Sequence, residues 1–325
     1  MIMDKQIEIS VAMTTYNGEK YLKKQLDSIF NQTLHVDEII VCDDCSSDNT
    51  IQILKNYPIT LIRNNNQLGF IRNFRQAIEH CHGNYIFLCD QDDIWSENKV
   101  NSMIKVMKKH PEIHVLASSF EYIDENDSKI KIKKMNHYSN NNLYHHDVPS
   151  KALIPVSFED LIYTNSFQGC SLLIDKKIQH FYLEHFSDKT PHDWLLNLYS
   201  ATINSMYFYN IPLFKYRLHE ENTLGIPDVN EKAASHAKRA NDITIRLQQP
   251  VATLDALNAI KKHVPSYYTQ HKVYIDTLYE FVCDHINFIE HKRILSLFFQ
   301  NFNPCYRKMK SFRSRVMDII YILSH

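Results

Sequence analysis

Two patterns of apolar and polar residues alternate along the first 120 residues. Period-two alternation and short apolar runs predict strands, over Ile7–Met13, Glu38–Cys42, Ile59–Arg63, Tyr85–Cys89 and Val115–Ser119. Helical spacing between these runs predicts helices, over Tyr21–Phe30, Thr50–Asn56, Ile71–His82 and Glu97–Lys109. Repeated strand–helix units predict an α/β fold in which helices flank a mostly parallel sheet.

The pattern changes after residue 123. Residues 124–150 are polar and predict a mobile loop, whereas residues 151–225 return to mixed structure. Within that stretch we expect a helix near Trp194–Ala201 and a strand near Leu213–Leu218. From Glu231 onward the spacing is helical to the last residue.

Composition excludes several classes of protein. The 325 residues carry a net charge of −1, which argues against a surface devoted to nucleic acid. No apolar run is long enough for a membrane-spanning helix, and the first residues lack a signal segment, so we expect a cytoplasmic protein. Seven scattered cysteines without a CxxC pair predict reduced thiols and no structural zinc site. Five glycines cannot form GxGxxG or a P-loop, which excludes both nucleotide-binding motifs in their usual form.

Two acidic clusters directly follow predicted strands. Asp43-Asp44 begins the first cluster, and Asp90-Gln91-Asp92-Asp93 forms the second. Because parallel strands present their carboxyl ends at one edge of the sheet, we expect both clusters at that edge. Carboxylates brought together repel unless a cation joins them, and hard oxygen ligands suit Mg²⁺ or Mn²⁺. For one cluster alone, a turn with a helix cap would explain the residues equally well, with Asp48 as the cap.

The motifs resemble those of family 2 glycosyltransferases with the GT-A fold. The resemblance rests on ISVAMTTYNGEKYLKKQLDSIFNQ, EIIVCDDCSSDNT and NYIFLCDQDDIW, and more loosely on QGCSLLID, PHDW and YRLHEENTLG, the last resembling a rhamnosyltransferase-like branch. It implies a GT-A catalytic domain over residues 1–226, with a nucleotide-sugar half at about 1–120 and an acceptor half at about 150–226. Residues 227–325 would form a helical C-terminal region.

The resemblance implies a nucleotide-sugar donor, a divalent metal and inversion at the anomeric carbon. The residues expected to contact the donor are Thr14, Thr15, Tyr16, Asn17, Asp43, Asp44, Arg72, Asp92 and Arg217. Within this set, Asp44 would accept a hydrogen bond from a pyrimidine N–H, Asp43 would orient its loop, and Asp92 would bind the ribose. Asp93 and His219 are the expected metal ligands. Arg217 would pair with the diphosphate or, alternatively, form a structural ion pair.

The acceptor side is predicted around Asp193. The resemblance makes Asp193 the general base that takes the proton of the acceptor hydroxyl, and its alternative role is an N-cap of the following helix. Gly169 would let the backbone approach a sugar, or would simply occupy a turn. Trp95 would cover the sugar or belong to the core. His192 is expected to be solvated or structural.

Basic and aromatic residues interleave over His291–His325, which holds seven Lys or Arg and one acid. This mixture predicts either peripheral attachment to anionic lipid or a helix that packs on the protein. The sequence thus favours an inverting, metal-dependent transferase of one sugar, with rhamnose as a candidate, to a lipid-linked saccharide in bacterial surface-polysaccharide synthesis. The alternatives are a sugar-nucleotidyltransferase and a catalytically inactive glycan-binding subunit.

Overall fold

The protein is described from a computed structural model, which covers residues 8–131, 144, 146–219 and 242–324. These residues form two compact units. One comprises the described residues of Met1–Leu161 and Asn165–Thr223, and the other comprises Ile162–Thr164 with the described residues of Leu224–His325. Residues 132–143 and 145 of the predicted loop over 124–150 lie outside the described residues, and so does the predicted domain boundary at 226.

The first unit is built on one mixed sheet. Its strands are β1 (Ile9–Thr15), β2 (Glu38–Asp43), β3 (Thr60–Arg63), β4 (Tyr85–Cys89), β5 (Ile94–Trp95), β6 (Val115–Ile123), β7 (Leu153–Pro155), β8 (Leu172–Asp175) and β9 (Met206–Arg217). Their order is β3-β2-β1-β4-β8-β6-β9-β5, and β7 pairs with β9. Strands β3, β2, β1 and β4 are mutually parallel, as predicted. Beyond β4 the sheet is mixed, because β8 runs antiparallel to both β4 and β6.

Seven helices accompany the sheet in the described part of this unit. They are α1 (Leu22–Phe30), α2 (Thr50–Leu54), α3 (Phe70–Glu79), α4 (Lys99–Lys109), α5 (Phe158–Leu161), α6 (Lys176–Glu184) and α7 (His192–Ala201). The apolar residues of β3 are half-buried, whereas those of β1, β2 and β4 are almost completely buried. Burial on both faces explains why these strands read as short apolar runs.

The second unit is helical, as predicted. Its described helices are α8 (Ile243–His263), α9 (Pro265–Gln270), α10 (Lys272–Glu290), α11 (Ile294–Gln300), α12 (Pro304–Met309) and α13 (Phe312–Ser324). Within the described ranges, none of the helices is both long and apolar enough to cross a membrane.

Candidate active site

The loops after β1, β2 and β4 meet at one edge of the sheet, since β1 lies between the other two strands. The Gln91 side chain joins two of these loops: it accepts from the Tyr16 N–H and donates to the Tyr16 carbonyl, both at 2.9 Å. A Cβ on Gly18 would lie 2.2 Å from the Gln91 carboxamide oxygen, so a glycine is needed for this close approach. The first predicted donor loop and the second acidic cluster are therefore in direct contact.

Asp43 organises the loop after β2. Its carboxylate is fully buried and accepts hydrogen bonds from the Thr15 hydroxyl at 2.9 Å and the Ser46 N–H at 3.0 Å. The Ser46 hydroxyl in turn accepts from the Asn17 N–H at 2.9 Å. Thr14 lies one residue before the end of β1 and is partly exposed. Asp43 thus holds the loops after β1 and β2 together, while its burial keeps it away from a ligand.

Asp44 holds the loop that follows β3. It accepts from the backbone N–H groups of Leu68 at 2.7 Å and Gly69 at 2.9 Å, and from the Asn64 amide at 2.9 Å. Two of these donors share Oδ1, so Oδ2 keeps one acceptor position for a nucleobase N–H. Arg72, further along on α3, is exposed and pairs with Asp188 at 2.5 Å. Its predicted contact with the donor stays a prediction.

The two adjacent carboxylates after β4 have different surroundings. Asp92 keeps 16% of its side chain exposed, and its Oδ2 lies 2.8 Å from Nε2 of His219. Asp93 is only 1% exposed, and its Oδ1 accepts from the backbone N–H of Arg217 at 3.1 Å. Its Oδ2 has no hydrogen-bond partner among the described residues. The structure brings together Asp92 and His219, while Asp93 is the more buried of the two carboxylates, and its predicted role as a metal ligand stays a prediction.

Arg217 requires a correction to its predicted role in binding the diphosphate. Its side chain is completely buried, and its guanidinium donates to the carbonyl oxygens of Asp92 and Asp124, both at 2.8 Å. It also pairs with the Asp127 carboxylate at 2.6 Å and lies 4.5 Å from the centre of the Tyr21 ring. Because these groups occupy the guanidinium, the alternative reading as a structural ion-pair partner is the one the structure supports.

A cluster of one half-buried and two buried ligand residues includes the first residue after β4. Ligand atoms of Asp90, Asp93 and Cys170 all fall within 4.8 Å of one another. Burial, followed by the charge of neighbouring Asp92, raises the pKa of Asp90 to about 7, and the same two causes raise the pKa of Asp93 well above its usual range. A cation near these carboxylates would offset their repulsion.

Lys99 supplies a positive charge beside this buried cluster, and sequence reasoning did not identify it. Its ammonium donates to the Cys170 carbonyl at 2.7 Å and lies 4.3 Å from the Trp95 ring and 4.2 Å from the Phe214 ring. Burial lowers the pKa of Lys99 to about 8. Local spacing could not reveal this contact, because Trp95 ends β5 and Lys99 begins α4.

Trp95 also needs correction. The indole is 3% exposed and packs against Phe87, with ring centres 5.4 Å apart, as well as against Lys99. It therefore belongs to the core and does not cover a sugar.

The predicted acceptor side forms around the first turn of α7. Asp193 is 5% exposed, and its carboxylate accepts from the N–H groups of Gly169 at 3.0 Å and Trp194 at 2.8 Å. The short 3₁₀ turn Gly169–Ser171 therefore connects Asp193 with Cys170 and the buried cluster. Each Asp193 oxygen accepts one donor here and keeps capacity for a second.

His192 is buried, so the expectation of a solvated side chain was wrong and the structural alternative holds. Its ring stacks on Phe74 with centres 3.9 Å apart, and neither ring nitrogen has a hydrogen-bond partner among the described residues. Burial lowers its pKa. A Cβ on Gly169 would lie 2.7 Å from Nε2 of His192, so this glycine is required by a packed side chain and not by a simple turn.

The donor set of Asp92 and His219 fits a divalent cation. The two side chains offer a carboxylate oxygen and an imidazole nitrogen 2.8 Å apart, both partly open to solvent. Carboxylate oxygens suit Mg²⁺ and Mn²⁺, and imidazole is a common ligand of transition metals. The structure thus offers one ligand of this kind after β4 and one after β9.

Comparisons with known proteins agree with this architecture. Residues 10–163 match the family model of glycosyl transferase family 2. The dTDP-rhamnosyl transferase RfbG of Shigella flexneri is 28% identical over 235 residues, which cover 66% of this chain and 73% of that relative. An Escherichia coli relative named UDP-Glc:alpha-D-GlcNAc-diphosphoundecaprenol beta-1,3-glucosyltransferase WfgD is 33% identical over 121 residues, which cover 36% of this chain and about half (47%) of the relative.

A solved structure shares the fold. TarS 1-349 of S. aureus, crystallised in complex with UDP-GlcNAc, aligns with a TM-score of 0.54 at 15% identity, over 98% of this chain and 93% of that one. These findings separate the predicted transferase from the alternative of a sugar-nucleotidyltransferase. Residues 10–163 carry a glycosyl transferase family 2 domain, and the chain has a GT-A-like fold. The family model, together with relatives named glycosyltransferases, identifies the protein as a glycosyltransferase.

Proposed function

We propose that this enzyme transfers one sugar, with inversion and with the help of a divalent metal, from a nucleotide-diphosphate donor to a saccharide acceptor. The observation that carries the proposal is the meeting of three loops at the carboxyl ends of β1, β2 and β4. There Asp44 keeps an acceptor position, and Asp92 pairs with His219 at 2.8 Å. Ligands of open α/β sheets bind beyond this edge.

The donor is proposed to be linked to UDP or dTDP, with rhamnose as the first sugar to test. The relative RfbG is named a dTDP-rhamnosyl transferase, and the TarS structure contains UDP-GlcNAc. Both nucleotides carry a pyrimidine with a ring N–H, which Oδ2 of Asp44 can accept. The end of β1 and the loop after it carry Thr14, Tyr16 and Asn17. These residues are proposed to contact the base or the ribose.

The metal is proposed to bind Asp92 and His219, which keep more of their side chains exposed than the other predicted ligand, Asp93. Bound there, the cation would offset the charge that develops on the departing diphosphate. Asp93 instead accepts the Arg217 N–H at 3.1 Å, while Arg217 donates to the Asp92 carbonyl at 2.8 Å. These two buried residues thereby fix the backbone that presents Asp92.

Asp193 is proposed as the general base. The hydroxyl of a sugar is a weak nucleophile, and a carboxylate that accepts its proton during bond formation accelerates the reaction. The N–H groups of Gly169 and Trp194 hold the Asp193 carboxylate in one orientation at the start of α7. Such fixed positioning is what a base needs for proton transfer.

The acceptor is proposed to be lipid-linked, within the assembly of a bacterial surface polysaccharide. The support is the printed name of WfgD, which specifies an acceptor on diphosphoundecaprenol. An acceptor of this kind presents its reacting sugar at a membrane surface, where the enzyme would work from the cytoplasmic side.

A screen of nucleotide sugars tests the proposal. Purified protein is incubated with UDP-, dTDP- and GDP-linked sugars and Mn²⁺, and release of the nucleoside diphosphate is measured. We expect turnover of a pyrimidine-linked sugar and no turnover of GDP-sugars. An Asp44→Asn variant is expected to weaken pyrimidine binding by about 1–3 kcal/mol, because it loses a charged acceptor. Equal turnover of GDP-sugars would contradict the base assignment, and no turnover of any donor with a suitable acceptor would contradict the function.

A further inference from the structure

Helix α11 leaves an apolar stripe uncovered. Leu295, Phe298 and Phe299 lie on the helix, and Phe302 lies in the turn that follows its last residue; their side chains are 73%, 53%, 67% and 67% exposed. The Phe298 ring lies 5.9 Å from that of Phe299 and 6.3 Å from that of Phe302, so the three form one aromatic cluster. The opposite face, with Leu297 fully buried, packs within the helical unit.

Helix α13 shows the same division into two faces. Phe312, Val316, Ile320 and Leu323 lie along one side of the helix and are 73%, 37%, 45% and 70% exposed. On the other side, Asp318, Tyr321 and Ile322 are buried. Both helices therefore use one apolar face for the core and expose another.

The two stripes belong to one surface. Nη1 of Arg315 on α13 donates to Oδ1 of Asn301 at 3.0 Å, and the same guanidinium lies 5.6 Å from the centre of the Phe312 ring. Asn301 directly precedes Phe302, so the end of the α11 stripe lies beside the beginning of the α13 stripe. Contiguous exposed apolar surface of this kind marks an interaction site.

The exposed charges that residues 291–324 contribute to this surface are of one sign, although Glu290, just before this range, is also exposed. The exposed side chains of residues 291–324 include five cations: Lys292, Arg293, Arg307, Lys308 and Arg313. The single acid in this range, Asp318, is buried and paired with Arg246 at 2.6 Å and with Lys310 at 2.7 Å. The exposed charge of this segment is thus entirely positive.

We propose that this aromatic and basic surface of α11 and α13 binds the anionic lipid of a membrane. Exposed phenylalanines enter the boundary between headgroups and acyl chains, and the surrounding cations attract anionic headgroups. A second copy of the chain is a poorer fit, because the same five cations would then face each other. The inference rests on the proposed function, since a lipid-linked acceptor gives the enzyme a reason to work at such a surface.

Deletion of the last residues would not test this inference, because it would remove buried Tyr306, Asp318 and Tyr321 from the helical unit. Substitutions confined to exposed side chains avoid the problem. The first variant combines Phe298→Ser, Phe299→Ser and Phe302→Ser. The matched control is Val273→Ser, which changes an 83% exposed apolar residue on α10 of the same unit.

Binding is measured by co-sedimentation of the full chain with vesicles of phosphatidylcholine, alone or mixed with phosphatidylglycerol. We expect binding to the anionic vesicles, weakened by salt. The triple variant should lose at least about tenfold in partition coefficient, because burial of even one phenylalanine is worth that factor. Val273→Ser should bind like the unaltered chain. A second variant, Arg293→Glu with Arg313→Glu, should lose binding to anionic vesicles while leaving the aromatic cluster intact.

Several results would overturn the proposal. The first is that the unaltered chain does not bind anionic vesicles. The second is that it binds neutral and anionic vesicles equally, without salt dependence. The third is that Val273→Ser loses as much vesicle binding as the triple variant does. A dimer that dissociates in the triple variant, without vesicle binding, would assign the surface to a second copy instead. Hydrolysis of the soluble donor is measured in parallel. If the unaltered chain does not hydrolyse the donor, the result counts against the proposed function. If it hydrolyses the donor but does not bind vesicles, the result counts only against the proposed membrane-binding surface.

Discussion

Replacing Asp193 with asparagine tests the proposed base while it preserves the size of the side chain. Both carboxylate oxygens accept a backbone N–H, from Gly169 at 3.0 Å and from Trp194 at 2.8 Å. Asparagine has one acceptor oxygen, so one buried N–H loses its partner, at a cost of about 1–3 kcal/mol in unfolding free energy. Loss of negative charge in the first turn of α7 adds about 0.3–1 kcal/mol.

The effect on catalysis should exceed this structural cost. A positioned base is worth about 10²–10⁴ in rate, so transfer should fall by that factor in the folded variant. Sugar transfer to an acceptor is measured together with donor affinity by calorimetry and with the melting temperature. We expect donor affinity to stay within about threefold, far less than the factor expected for transfer.

Two results would refute the reasoning about Asp193. The first is a fall in transfer that only matches the fraction of unfolded protein. The second is a fall in donor affinity as large as the fall in transfer. Either result would make Asp193 a helix cap without a part in proton transfer.

Three further predictions concern packing and charge. Gly169→Ala would place a Cβ 2.7 Å from Nε2 of buried His192, and the resulting shift of the loop should lower transfer about 10²-fold; unchanged kinetics would show that the turn is not constrained. Arg217→Met leaves the carbonyl oxygens of Asp92 and Asp124 without their donor, while Asp127 keeps its ion pair with Lys24; the urea unfolding free energy should fall by about 1–3 kcal/mol per carbonyl, whereas a total loss below about 1 kcal/mol would restore a surface role. Burial lowers the pKa of His285 to about 4, so the unfolded chain binds the extra proton between that value and about 6.5. Unfolding free energy should therefore drop by about 3 kcal/mol as the pH falls through this window. His285→Gln should flatten the decline, and an identical pH slope in both proteins would contradict the assignment.

Much of the first half of the fold could be predicted from periodicity. Strands β1, β2 and β4 are buried on both faces, so their apolar runs and the helical spacing between them are visible in the sequence. The insertion of β8 between β4 and β6 could not be predicted in this way. It depends on pairing between residues about 90 positions apart, such as Ile86 with Ile174, and local patterns carry no information about such pairing.

The candidate site could be located from the sequence, but the roles of its residues could not be separated. Asp92 and Asp93 are adjacent, and only the folded chain shows that one faces His219 while the other is buried against the Arg217 N–H. Arg217 and Trp95 have side chains that often bind ligands, and burial alone assigns them to the structure. The terminal segment likewise allowed two readings because α11 and α13 each have a packed and an exposed apolar face.

The most direct test of the central claim is the Mn²⁺ dependence of nucleotide binding in three proteins: the unaltered chain, Asp92→Asn and Asp93→Asn. Affinity for UDP and dTDP is measured by calorimetry with Mn²⁺ and with EDTA. The account predicts that Mn²⁺ strengthens binding in the unaltered chain and in Asp93→Asn, and that Asp92→Asn abolishes this gain. Equal affinity in Mn²⁺ and EDTA, or loss of the gain in Asp93→Asn alone, would contradict the metal site at Asp92 and His219.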